Sequence, residues 1–372
     1  MRPEVGASVE LTIDTLAAGG DGVGRHDGRV IFVPRSAPGD RVQAQLLRLH
    51  PRYAHAALVR VLEPGPHRRE SPCPYFGSCG GCRWLHLDDA AQEAGRAAIL
   101  RDALTRIGGM RELPPLTHVR SPRSLGYRSR ARVAHARGRV GFRAWHSHEV
   151  VDIERCVVFD AETQAELDAL QTATPRGSGE IEIRGYSEEV EVAGRKLHVG
   201  PHAFFQANRS LWDRWFEVVV KACGTGQLAV ELYAGVGFYT VGVEENFSTL
   251  IAVERGAAVH DARRNSKAQV IRAAAESWLP AQVGKLLPDL MLLNPPRSGC
   301  DARVIDALRK IAPARVVYVS CEPSTLARDL ARLGPNFRLT GLTLLDALPQ
   351  THHVESVVTL EHIDSRSRTH VQ

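Results

Sequence analysis

Leu228-Ala-Val-Glu-Leu-Tyr-Ala-Gly-Val-Gly237 is the stretch that sets the fold class of this chain. Its first half is an apolar run of strand length and its second half a glycine turn. A helix-compatible stretch follows, then a second apolar run, Leu250 to Val253, closed by Glu254. Strand, turn, helix and strand in that order form the unit of a doubly wound parallel sheet, and the alternation continues from about residue 200 onward. The turn also suits a ligand. Gly235 and Gly237 let the backbone approach it closely, and Glu254 at the tip of the next strand is placed to accept hydrogen bonds from both hydroxyls of a ribose.

Only two glycines are present, and Glu231 stands four residues before the first. That arrangement is typical of S-adenosylmethionine sites rather than of the three-glycine dinucleotide fingerprint, although an ordinary strand-to-helix turn shows the same letters. Further on, Val316-Val-Tyr-Val-Ser-Cys321 is an apolar strand ending in a cysteine, and Pro323 stops it. Its carboxyl edge is where open α/β sheets place their sites. A thiolate there suits addition to C6 of a uracil, because C5 is too weak a nucleophile to take a methyl group from a sulfonium until that addition makes it enolate-like. A base must then remove the C5 proton. Glu355, in Pro349-Gln-Thr-His-His-Val-Glu355, is the candidate, with His352 and His353 beside it. A lone cysteine is more often buried and inert, so this assignment leans on the pattern around it.

The 372 residues, 44% of them hydrophobic, allow two or three domains without disulfide staples. Arg2, Glu4 and Glu10 break up any leader-like apolar start, and no later run is long enough to span a bilayer, so the expected location is the cytoplasm, with no membrane partner. A net charge of +5 permits a nucleic-acid partner without requiring one. Short alternating runs (Val9 to Ile13, Val30 to Val33, Val42 to Leu47, Ala57 to Leu62) predict a small five-stranded barrel. The cluster Gly19, Gly20, Gly22, Gly24 reads as a hairpin turn, since a strand follows where a phosphate loop needs a helix. Residues 84–108 read as one amphipathic helix ending at Gly108-Gly109. From Arg120 to His148 there are eight arginines and no acid, interleaved with Tyr127, Phe142 and Trp145, with a hairpin turning near Gly138. This segment reads either as an RNA surface or as a solvated sheet face. Three of the seven cysteines, Cys73, Cys79 and Cys82, crowd together ahead of the helix. In a reducing compartment they read as a metal or cluster site.

Leu293-Asn-Pro-Pro-Arg-Ser-Gly299, Tyr318-Val-Ser-Cys-Glu-Pro-Ser-Thr-Leu-Ala-Arg-Asp329 and Leu348-Pro-Gln-Thr-His-His-Val-Glu355 together resemble the RNA 5-methyluridine methyltransferase family in order and spacing as well as in letters. The resemblance extends to Phe204-Phe-Gln-Ala-Asn208 and to the amino-terminal barrel, which looks like a TRAM domain, so in effect it covers the whole chain. It implies a TRAM-like, RNA-binding β-barrel (residues 1–63), a central cluster-binding α+β domain with a basic RNA surface (64–180) and a Rossmann-like class I methyltransferase domain (181–372). By the same resemblance Cys321 and Glu355 are catalytic, and Gln206, Tyr233, Gly235, Glu254 and Asn294 contact S-adenosylmethionine. Cys73, Cys79, Cys82 and the distant Cys156 are similar to the ligands of a 4Fe-4S cluster in members that modify large-subunit ribosomal RNA. The residues alone leave cluster and zinc open. The implied partner is RNA, ribosomal rather than transfer RNA, with a monomer expected and no obligate protein partner.

Three departures stand out. Asn294 occupies a position where the family has Asp, Phe238 replaces a small polar residue, and Ala274-Ala275 stand where an acid commonly reads the adenine, with Glu276 as a substitute. Asn-Pro-Pro also marks methyltransferases acting on amine or amide nitrogens, whose next residue is aromatic; here it is Arg297. A non-catalytic RNA-binding protein with a decayed cofactor site is the third reading. Cys223 and Cys300 match no catalytic position, and Cys300 is the competing nucleophile.

Overall fold

The computed structural model describes residues 4–364; Arg2, part of the charged start, lies outside them. The chain folds as two compact units, one comprising the residues up to Ile99 with Arg123–Gly185 and Leu348–His353, the other comprising Leu100–Pro122, Tyr186–Ala347 and the chain from Val354.

In the first unit, β1 (Ser8–Leu16), β2 (Gly22–His26), β3 (Arg29–Val33), β4 (Arg41–Leu49) and β5 (Tyr53–Glu63) close a barrel in the order β1-β2-β3-β5-β4. The period-two pattern turns Val9, Leu11 and Ile13 inward against Ile31, Val33, Val42, Leu46 and Ala54. The glycine cluster is only partly a turn. Gly22 and Gly24 lie within β2, where a Cβ would collide with Ser36 and with the backbone of Thr12. Glycine is therefore there for close strand packing.

The helix expected from residue 84 begins later, as α1 (Asp89–Asp102), and ends in a π-helical turn, Ala103–Ile107. Trp84, Leu85 and Leu87 are buried in the turn before it, and the Asp88 carboxylate accepts the Ala91 N–H at 2.7 Å. Their apolar spacing had mimicked a helical face. After α1, β6 (Leu116–Val119) joins the sheet of the second unit. The chain then forms β7 (Arg130–Ala136), β8 (Arg139–Arg143), β9 (Val150–Asp152), α2 (Ala161–Ala173) and β10 (Ser178–Arg184), a sheet ordered β10-β7-β8-β9. Arg137 and Gly138, both at positive φ, make the predicted two-residue hairpin turn between β7 and β8.

The second unit opens with the ribbon β11 (Glu189–Val192) and β12 (Arg195–His198), then α3 (Trp212–Cys223). The doubly wound part follows: β13 (Gly226–Leu232), α4 (Thr240–Val243), β14 (Phe247–Glu254), α5 (Val259–Asn265), β15 (Gln269–Arg272), α6 (Ala275–Trp278), β16 (Leu290–Leu293), α7 (Ala302–Ile311), β17 (Arg315–Ser320), α8 (Pro323–Leu333), β18 (Phe337–Leu345) and β19 (Glu355–His362). The sheet runs β15-β14-β13-β16-β17-β19-β18-β6, with β15 to β17 parallel and β19 antiparallel to its neighbours β17 and β18. β16 is buried along its whole length, as expected of a parallel strand covered on both faces. Among the described residues no helix is long and apolar enough to cross a membrane.

Candidate active site and cysteine pocket

Strand order reverses between β13 and β16, and that switch point is where a doubly wound sheet opens a crevice at its carboxyl edge. Four segments converge on this edge: the Tyr233–Gly237 turn after β13, Glu254 ending β14, Asn294 after β16, and Cys321 after β17. Tyr233, Gly235 and Gly237 all take positive φ, and Gly235 faces open space where a Cβ would stand. The Glu254 carboxylate accepts the N–H groups of Gly235 at 2.9 Å and Gly256 at 2.5 Å. It is thereby fixed at the tip of its strand. The Asn294 N–H donates to the Leu232 carbonyl at 3.3 Å, tying the Asn-Pro-Pro loop to the glycine turn. Gln206 is half-buried, and its carbonyl accepts the Trp212 indole N–H at 2.8 Å.

Phe238 is buried edge-on to Phe205 (5.3 Å), Phe216 (6.0 Å) and Tyr239 (4.9 Å). This departure thus fills an apolar cluster under the turn. Ala275 is buried at the start of α6, and Glu276 beside it is half-buried. Glu231 is fully enclosed and accepts the Thr240 hydroxyl at 2.6 Å; burial pushes its carboxyl up to about 8.

Antiparallel β19 brings its first residue to the same edge. Ser320 pairs with Ser356, so Cys321 and Glu355 emerge from adjacent strands at one end of the sheet. Burial pushes the Cys321 thiol up to about 11, with Glu355 adding to the shift and Arg297 opposing it. Burial likewise pushes the Glu355 carboxyl up to about 8, again opposed by Arg297. Arg297 is therefore a cation shared by both groups, a role that its place after Asn-Pro-Pro does not reveal. Cys300, the competing thiol, is 2% exposed and pushed up to about 12 by burial, and Cys223 is buried as well. The two halves of Pro349–Glu355 do different work. Gln350 is buried in the first unit, exchanging hydrogen bonds with Gln92 (2.8 and 2.9 Å) and accepting the Arg83 and Trp84 N–H groups, while Glu355 opens β19.

Cys73, Cys79, Cys82 and Cys156 line one pocket of the first unit with Tyr75, Phe142 and Arg128. All four thiols are free, and the Gly81 N–H donates to Cys79 Sγ at 3.4 Å. Burial raises the Cys79 thiol, and pushes Cys82 up to about 12 and Cys156 to about 11, with Arg128 opposing each shift. Among the described residues no set of three or more His, Cys, Asp or Glu side chains is arranged to hold a metal ion.

The arginine-rich segment divides. Tyr127 is buried, with its hydroxyl donating to the Pro349 carbonyl at 2.9 Å, and Phe142 packs edge-on to Phe159 at 5.9 Å; both serve the core. Arg130 pairs with Glu182 (2.7 Å) and Arg143 with Glu180 (3.1 Å). Acids from β10 thus neutralise part of the run. Trp145 stacks with His146 and lies under Arg83 at 4.8 Å, while Arg137 and Arg139 stand exposed at the hairpin tip. On the barrel, Phe32, His50, Tyr53 and His55 form a connected ring cluster with centroids 4.3–6.1 Å apart.

The fold and the arrangement at its carboxyl edge are those of a class I methyltransferase, here joined to a small barrel. Residues 180–363 match the family described as tRNA (uracil-5-)-methyltransferase, and residues 2–59 match the TRAM domain. An RNA methyltransferase of Aquifex aeolicus (strain VF5) is 30% identical, with 95% of this chain and 98% of the relative covered. The 23S rRNA (uracil(1939)-C(5))-methyltransferase RlmD of Pectobacterium atrosepticum is 28% identical over 95% of this chain and 94% of that one. The chain therefore belongs to the RNA (uracil-5-)-methyltransferase family and carries its TRAM domain. In fold it is similar to the crystal structure of the Pyrococcus abyssi tRNA (uracil-54, C5)-methyltransferase in complex with S-adenosyl-L-homocysteine, with a TM-score of 0.72 and 23% identity over 95% of this chain and all of that one.

Proposed function

We propose that this enzyme methylates C5 of a uridine in large-subunit (23S) ribosomal RNA, with Cys321 as nucleophile and Glu355 as base. The observation that carries the reading is the meeting of a half-buried thiol, a carboxyl and a shared arginine on the sheet edge that also bears the glycine turn. The Cys321 thiolate adds to C6, and the electron pair released to C5 takes the methyl group. Glu355 then removes the C5 proton, the C5–C6 double bond re-forms and the thiolate leaves. S-adenosylmethionine supplies the methyl group as a sulfonium. Glu254, the open backbone at Gly235, and Tyr233, Asn294 and Gln206 would hold it. Arg297 stabilises the anionic forms of both reacting side chains.

By family resemblance the four cysteines would hold a 4Fe-4S cluster, with zinc the alternative that their chemistry also allows. They line one pocket with an N–H aimed at sulfur, and four thiolates carried on separated segments are what the ribosomal-RNA-modifying relatives' cluster would use. The cluster would fasten the segments carrying these cysteines and shape the RNA surface. Unpaired bases would stack on the barrel rings, and the exposed Arg137 and Arg139 of the hairpin would attract phosphate. The cytoplasm, where this RNA is found, is the matching location. The test is to map 5-methyluridine in RNA from cells lacking the gene. Loss of one or more such residues from the large ribosomal RNA is expected; loss from transfer RNA would reassign the substrate, and an unchanged map would overturn the reading.

A further inference from the structure

We infer that Asp329 is a positioning residue that, through Arg328, holds the Arg297–Cys300 loop in register with Cys321. The inference rests on the uracil-C5 reading above. Asp329 is an enclosed carboxylate eight residues after Cys321, on the helix that follows it. Asp329 is 0% exposed, and its Oδ2 accepts the Cys300 N–H at 2.7 Å and the Tyr318 hydroxyl at 2.9 Å. Its Oδ1 accepts Arg328 Nε at 2.9 Å and Nη2 at 2.8 Å, so the guanidinium is held in place. The same Nη2 donates to the Ser298 carbonyl at 2.8 Å. One turn earlier, the Thr325 hydroxyl donates to the Arg297 carbonyl at 3.1 Å. Three residues on successive turns of α8 thus hold the backbone of Arg297, Ser298 and Cys300.

Gly299 completes the clamp. Its φ is +74°, and a Cβ there would stand 2.6 Å from both Arg328 Nη2 and Asp329 Oδ2. Glycine is required because the clamp approaches the loop so closely. The helix doing the holding starts two residues after Cys321, and Tyr318, bound to the same carboxylate, lies in β17 three residues before it. Nucleophile strand and arginine loop are therefore fixed by one side chain. Glu355, Arg297 and Glu322 act on Cys321, and Arg297 acts on Glu355, so a displaced Arg297 leaves both reacting groups harder to ionise.

The test uses the full-length protein and RNA carrying 5-fluorouridine at the target, following covalent adduct formation against pH. Asp329→Asn keeps an acceptor for Cys300 and Tyr318 but turns an amide toward Arg328. It should slow adduct formation about ten- to a hundredfold at neutral pH, move the pH profile to the alkaline side and leave RNA affinity within about threefold. Gly299→Ala should act in the same direction. If Asp329→Asn does not fold, Arg328→Gln, on a partly exposed side chain, makes the same measurement. A variant with an unshifted pH profile and adduct rate, whether or not it melts earlier, would overturn the inference. Failure of the unaltered protein to form any adduct would instead remove the uracil-C5 reading itself.

Discussion

The two units treat their cysteines in opposite ways. In the first, four thiols share one pocket, surrounded by ring edges and a single arginine, Arg128. In the second, one thiol stands alone at a sheet edge between a carboxyl and Arg297. Burial raises the thiols of both sites, so depth does not separate them. The neighbours do. On the proposed reading, thiols grouped with one another would share one metal centre, whereas a thiol beside a base and an arginine would attack a carbon and be expelled again.

The sharpest way to break this contrast is to exchange the losses. Cys321→Ala should lower methylation by at least about a thousandfold without lowering the melting temperature, since it removes a nucleophile and no core packing. Glu355→Gln should slow turnover by about 10²- to 10⁴-fold, the usual worth of a positioned base, and accumulate covalent complex with ordinary RNA on denaturing gels. Normal turnover would show that another group takes the proton. In the other unit, Cys79→Ala should abolish the visible absorbance and the iron, about four per chain in the anaerobic parent protein, and lower the melting temperature. Stoichiometric zinc in a colourless parent would exclude the cluster.

A smaller effect comes from two carboxyls of the second unit, the buried Glu231 and the half-buried Glu355. Glu231 and Glu355 bind a proton up to about pH 8 when folded, against an ordinary value of 4.5. The folded state therefore holds more protons than the unfolded chain between those values. Their contribution to stability is full below the ordinary value and lost as pH rises through 8. Glu231→Gln, which keeps an acceptor for Thr240, should flatten that decline and raise the melting temperature at pH 8 by about 2–4 °C, roughly the effect of 1 kcal/mol. An unchanged slope in calorimetry would show that Glu231 ionises freely.

How much was legible in the sequence follows the range of the interactions. The glycine turn, Glu254, the strand ending at Cys321 and the Gly138 hairpin were readable because each depends on neighbours along the chain. The start of α1 was misplaced because Trp84, Leu85 and Leu87 bury themselves in a turn at a helix-like spacing. Tyr127 and Phe142 looked like stacking platforms for RNA, yet face the core, since one sequence pattern does not say which side of a sheet is covered. Arg297, Asp329 and Gln350 all lie inside the family-like motifs. The contacts that give them their places, Thr325 to Arg297, Cys300 to Asp329 and Gln92 to Gln350, span 28, 29 and 258 residues, beyond what periodicity can report.

The central claim is that Cys321 forms the covalent bond to the pyrimidine. Fluorine at C5 leaves no proton for Glu355 to remove, so RNA bearing 5-fluorouridine at the target should trap the enzyme, and mass spectrometry of the digested complex should place the nucleotide on Cys321. An adduct that survives in Cys321→Ala, or maps to Cys300, would contradict the account.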